Sequence, residues 1–155
     1  MTTLTLPEIE ALTLRVNQEI RVRASLEVTF AALLEQLGPY NETHDGKSLA
    51  MKVEPWPGGR WFRDLGDGNG HCWATVQSIK RPTLLEFSGP LFMSQPVANH
   101  LIYRLSEESG ETVIKFSHSA FGPVQAEHRE GVKTGWTFIH EQVRLRAERS
   151  QTIAD

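Results

Sequence analysis

Few side chains in this sequence carry chemistry, and His118 is the sharpest of them. It shares parity with Ile114 and Phe116, so on a strand all three point to one face. The preceding segment carries Leu101, Tyr103 and Leu105 on its apolar parity, and hairpin register sets either Leu101 or Asn99 opposite His118. An imidazole buried beside Tyr103 would orient a ligand carbonyl, or exchange a proton near neutral pH. The competing and commoner outcome is a core histidine satisfied by a neighbour or a water.

The other candidates are poorer. His71 and Cys72 are adjacent, so on a strand they face opposite ways and cannot share a metal. His100 falls on the opposite parity to His118, and His44, His128 and His140 form no helical i, i+4 pair. No metal and no cofactor is expected. No strand–Ser–helix elbow, Gly-rich phosphate loop or carboxylate dyad is present, and Asp64 and Asp67 read as turn residues. Trp61, Trp73 and Trp136, with Leu101 and Phe116, are candidates for an apolar cavity wall, against ordinary core packing. A bulge in either strand would reverse the facing of Trp61 or Trp73. Gly135 lies inside a helical segment, where glycine costs about 1 kcal/mol relative to alanine. It therefore implies close approach of a strand or room for a ligand.

These residues need elements to hold them. Residues 12–23 alternate as Leu12, Leu14, Val16, Ile20 and Val22, a long first strand with one buried face. Ser25 suits an N-cap, and Phe30, Leu33, Leu34 and Leu37 give a short amphipathic helix stopped by Gly38-Pro39, with the glycine in an αL exit. Strand signals follow at 49–54, 60–65, 72–79, 84–88, 97–106 and 112–120. The loop at 89–96 carries exposed-looking Leu91, Phe92 and Met93. A final helix spans about 125–149, with Val132, Trp136, Ile139 and Val143 on one stripe. Glu141/Arg144 and Arg144/Glu148 pair on its solvent side, and Arg144, Arg146 and Arg149 suit its C-terminus. About seven antiparallel strands gripping a long helix make an α+β helix-grip fold, with a gap between layers where a ligand site would sit. Residues 1–11 read as an N-terminal segment, 12–149 as the single domain and 150–155 as a tail.

Composition narrows the partners. With 155 residues the chain buries roughly 70% of its unfolded surface without a staple, and a single cysteine excludes an internal disulfide. A net charge of −3 offers no field for nucleic acid or anionic membrane. The first residues lack a basic n-region, no stretch suits a membrane span, and Asn41-Glu42-Thr43 is a chance glycosylation match, so a cytoplasmic location is expected. Phe138 and Leu145, seven apart, project away from the buried stripe. They are expected to cover Leu4, Leu6 and Ile9 or to meet a second subunit as a homodimer.

Val53-Glu54-Pro55-Trp56-Pro57-Gly58-Gly59-Arg60-Trp61 resembles the E-P-x-P-G-G-R turn of the activator of heat shock protein 90 ATPase homologue-like family. Four further stretches look like the same pattern in order. They are Ala24 to Glu27, Trp73 to Val76 with Ile79 and Pro82, Thr112 to Phe121, and Gly135-Trp136. Leu26 and Ala120 depart from its usual proline and glycine. The resemblance covers residues about 14–149 and implies the START-like (SRPBCC) helix-grip fold, whose members hold or transform hydrophobic ligands under the closing helix. The chain begins within a few residues of its first strand, so no chaperone-docking module is expected ahead of it. Three readings follow. The first is a binding protein for a small apolar or amphipathic molecule. The second is a cyclase/dehydratase-like enzyme using His118 with Tyr103, and the third is a chaperone ATPase-regulating interaction protein. A wall with His118 as its sole polar group favours binding. Polar groups converging within about 3 Å of one point favour catalysis.

Overall fold

A computed structural model describes residues 3–92 and 94–155. The elements run α1 (Leu6–Ala11), β1 (Thr13–Val22), α2 (Leu26–Leu37), β2 (Lys52–Val53), β3 (Arg60–Gly66), β4 (Asn69–Lys80), β5 (Leu84–Gly89), β6 (Ala98–Glu108), β7 (Glu111–Phe121) and α3 (Ala126–Ala154). The strands form one antiparallel sheet of seven in the order β1-β7-β6-β5-β4-β3-β2. The helices α2 and α3 pack on each other over one face of it, with α3 also against β1. This is the helix-grip architecture. None of the described helices is long and apolar enough to cross a membrane.

Local chemistry explains the element ends. Ser25 caps α2 by accepting from the Val28 N–H at 3.2 Å. At the other end Gly38 has φ −99°, not the expected left-handed value, and a side chain there would meet the Leu34 carbonyl at 2.9 Å. Glycine is needed at this exit for clearance rather than for positive φ. Asp67-Gly68 and Ser109-Gly110, all at positive φ, make the two-residue turns joining β3 to β4 and β6 to β7.

Four expectations change. The segment 1–11 contains a helix, because Thr5 and Glu8 form a reciprocal capping box. The strand expected over 49–54 shrinks to Lys52–Val53, because residues 41–49 fold on themselves as a hairpin loop closed by Leu49 N–H to Asn41 O at 2.8 Å. Leu91 is buried, its N–H donating to the Trp73 carbonyl at 2.7 Å, and Phe92 is half-buried. Met93 lies outside the described residues. Finally, α3 continues to Ala154 through the expected tail, which leaves Arg144, Arg146 and Arg149 inside the helix rather than at its last turn. There Arg144 bridges Glu141 and Glu148, as the spacing predicts.

Candidate functional site

The β6–β7 register sets Leu101 opposite His118 and Tyr103 opposite Phe116. All four side chains are buried between sheet and α3. The indole N–H of Trp136 donates to His118 Nδ1 at 3.0 Å, so the imidazole proton sits on Nε2 and is donated to Asn99 Oδ1 at 2.8 Å. Asn99 in turn donates to the Pro90 carbonyl at 3.2 Å. Both ring nitrogens of His118 are therefore engaged by the protein. Burial lowers its pKa to about 4, so the ring is neutral at pH 7.

A second buried histidine stands beside it. His140 is stacked on Trp136, with ring planes 9° apart, and Phe116 packs against both rings. Its Nδ1 lies 2.7 Å from Gln18 Oε1 and its Nε2 lies 3.0 Å from the Tyr103 hydroxyl. Gln18 presents oxygen because its Nε2 donates to Thr137 Oγ1, whose own hydroxyl donates to the Lys133 carbonyl. The proton of His140 is thus on Nδ1, and Tyr103 donates to Nε2. Burial lowers the His140 pKa to about 3 and raises that of Tyr103 well above the usual phenol value. Two satisfied polar chains, Asn99–His118–Trp136 and Tyr103–His140–Gln18, occupy the gap between the layers.

The open space lies to one side of them. A pocket of about 360 Å³ is bounded by the 41–49 loop, Trp73, Phe92 and the first half of α3, where Gly131, Val132, Gly135, Trp136, Phe138 and Ile139 face it. A Cβ built on Gly131 or Gly135 would meet nothing within 4 Å. Close approach of a strand, one of the two explanations for a glycine at 135, is therefore not what the structure shows. Trp73 reaches this wall through a bulge. Phe62 pairs with Cys72 and Trp61 with Ala74, which leaves Trp73 as the extra residue, turned inward. Trp61 is also inward but sealed, donating to the Leu37 carbonyl at 2.8 Å and packed on Trp73 and Phe87. Of the candidate wall residues, Trp73 and Trp136 line the pocket, whereas His118, Tyr103, Leu101, Phe116 and Trp61 lie in the packed core. Among the described residues no cluster of His, Cys, Asp or Glu could hold a metal ion.

The family profile "Activator of Hsp90 ATPase homolog 1-like protein" matches residues 23–145. The chain belongs to this family. No curated protein matches it. Solved structures share the fold. Protein NE0264 from Nitrosomonas europaea superposes with TM-score 0.70 at 15% identity, covering 90% of this chain and 97% of its own. The solution structure of the Aha1 dimer from Colwellia psychrerythraea gives 0.62 at 16% identity, covering 87% and 96%. The di-domain ARO/CYC StfQ from the steffimycin biosynthetic pathway gives 0.67 at 10% identity, covering 93% of this chain and 53% of its own.

The stretch that best carries the family resemblance is structural. Glu54 accepts from the Arg60 backbone N–H at 2.9 Å and from its guanidinium at 2.8 and 3.2 Å, closing the turn. Gly58 and Gly59 pair with Val76 on β4, and a side chain on Gly59 would sit 2.0 Å from the Glu54 carbonyl. None of these residues lines the pocket.

Sequence reasoning missed His140, Gln18 and Asn41. His140 is four residues beyond Trp136 and three before Val143, so the buried stripe already included it. Gln18 interrupts an apolar alternation on the parity of Val16 and Ile20, a polar insertion that marks an inward hydrogen bond. Asn41 is 2% exposed and borders the pocket, and its Nδ2 is buried with no acceptor among the described residues. An unpaired buried donor of this kind costs about 1–3 kcal/mol. Its only sequence signal is its position just after the helix stop.

Proposed function

We propose that this family member is a binding protein for a small apolar or amphipathic molecule, held between the 41–49 loop, Trp73 and α3. One observation carries the reading: Gly131 and Gly135 open an apolar hollow of about 360 Å³ beneath aromatic walls. That volume suits a two- or three-ring molecule and falls within the range of about 300–1,000 Å³ common to ligand pockets. Binding is favoured over cyclase- or dehydratase-like catalysis because His118, Tyr103 and His140 spend their polar atoms on one another and on Asn99, Trp136 and Gln18. Glu42, His44, Glu127 and His128 border the hollow, but among the described residues no hydrogen bond or ion pair joins an imidazole of this set to a carboxylate of it, and His128 is engaged by Gln95. The helix-grip fold, shared with an aromatase/cyclase, supports a ligand-binding scaffold without requiring that chemistry.

Native mass spectrometry of freshly purified protein tests the reading. A co-purifying small molecule in the wild type, lost in Gly135→Trp, is the expected result. An empty wild-type protein that also fails to bind tetralin saturably overturns it. A chaperone-regulating role, suggested by the family description, predicts stimulated ATPase activity of a purified chaperone, with a surface substitution abolishing it.

A second copy is a further partner in this reading. Leu145 is 39% exposed, Phe138 is half-buried at the pocket edge, and a related structure is a dimer. Leu4, Leu6 and Ile9, the alternative partners of this face, are themselves 50%, 74% and 38% exposed. Light scattering that finds a dimer for wild type and a monomer for Leu145→Arg supports this face, and a monomeric wild type contradicts it.

A further inference from the structure

The binding reading leaves open what the molecule carries besides its apolar body, and Asn41 bears on that. Three of its polar groups are committed. Its N–H donates to the Gly38 carbonyl at 3.1 Å, its carbonyl accepts from Leu49 N–H, and its Oδ1 accepts from Glu42 N–H at 2.9 Å. The last bond fixes the side-chain amide so that Nδ2, the unpaired donor, is the end left over, enclosed in a residue that borders the pocket. The charge of the rim adds a second constraint. The rim carries the carboxyl groups of Glu42 and Glu127 and the imidazoles of His44 and His128 and no lysine or arginine, so it offers an anionic group no ammonium or guanidinium partner.

The loop that begins at Asn41 can let a ligand in. Among the described residues every hydrogen bond of residues 42–48 stays within 41–49: Thr43 with Lys47, Gly46 with Thr43, and the Glu42–Ser48 bridge. None ties the loop to α3. Lifting the loop on the Gly38–Asn41 stem would break none of these bonds, only packing such as that of Leu49 on the core, and would uncover Nδ2.

We propose that Asn41 Nδ2 anchors a neutral acceptor oxygen, a ketone or amide carbonyl, on an apolar ring-bearing ligand admitted under the 41–49 loop. This rests on the binding reading. The probes are tetralin and 1-tetralone, which share a ring skeleton and differ by the carbonyl. Dissociation constants are measured for wild type, Asn41→Leu and Asn41→Asp; the aspartate keeps the oxygen facing Glu42 N–H and replaces the donor with an acceptor. Comparing the ratio of the two affinities between wild type and variant cancels the different hydration of the two probes. The preference for 1-tetralone falls about tenfold in both variants, the loss expected for one hydrogen bond. Independently of any variant, the Asn41 side-chain amide resonance of wild type moves downfield with 1-tetralone and not with tetralin. A ratio unchanged within about twofold, or an amide that does not move, overturns the anchor while leaving the pocket reading intact. Failure of both probes to bind wild type overturns the pocket reading and the anchor with it.

Discussion

Trp136 donates its indole N–H to Nδ1 of His118 at 3.0 Å, and this bond commits the imidazole to structure. The ring nitrogen that would otherwise accept a proton from a ligand is already accepting one. Its other nitrogen is held by Asn99, so His118 joins β7, β6 and α3 in one buried chain.

His118→Ala removes a partner from both Trp136 and Asn99 and leaves two buried polar groups unmatched. The expected loss is about 2–4 kcal/mol of unfolding free energy, since each orphaned group costs about 1–3. Urea denaturation measures it. A loss under about 0.5 kcal/mol would mean that the chain is not formed in solution.

The pH dependence has a definite sign. His118 and His140 have folded pKa values near 4 and 3, below the value of 6.5 expected when unfolded. The unfolded chain therefore takes up protons first as the pH falls. Their stabilising contribution is complete above pH 6.5 and is lost progressively toward pH 4 and below. Each histidine contributes a slope of up to about 1.4 kcal/mol per pH unit. Between pH 6 and 5 most carboxylates remain ionised, so the histidines dominate that window. Urea midpoints should fall across it in wild type and fall less steeply in His140→Gln. A flat wild-type profile would contradict neutral buried rings.

Gly131→Ala and Gly135→Ala should each stabilise the protein, by roughly 0.5–1 kcal/mol, because the added methyl meets open space and the helix gains propensity. Thermal denaturation checks the sign. Destabilisation at either position would show that the hollow is closed in solution.

The two inward tryptophans separate structure from binding. Trp61→Phe loses the bond to the Leu37 carbonyl and should cost about 1–3 kcal/mol with little change in tetralin affinity. Trp73→Ala removes part of the pocket wall and should weaken tetralin by about tenfold, a loss of contact area worth some 1.4 kcal/mol. Calorimetry on both variants decides between them, and the reverse pattern would exchange their assigned roles.

How far the sequence reached depends on what each residue needs. The strands of β1, β6 and β7 and the stripe of α3 are legible because apolar periodicity records which face is buried. Ser25 and Gly38-Pro39 mark the ends of α2 for steric and hydrogen-bonding reasons that are local. The capping box of α1 was equally local, in Thr5 and Glu8, but the short apolar segment around it carries no helical period. Trp73 is harder, because its facing depends on a bulge set by pairing with β3, a property of two strands together. The 41–49 loop and the orphan of Asn41 are harder still. They follow from where a loop lands on a distant helix, which no spacing within the loop encodes. Glu54 to Arg60 gives the opposite lesson: the most recognisable stretch maintains a turn and lies away from the pocket.

The central claim is that the hollow under α3 accepts an apolar molecule. Its most direct test is a ¹H–¹⁵N NMR titration of the full chain with tetralin. The account predicts saturable shifts at the Gly131 and Gly135 amides and the Trp73 and Trp136 indoles, with the sealed Trp61 indole unmoved. Absence of saturable shifts at these four groups, or shifts confined to residues elsewhere, would contradict it.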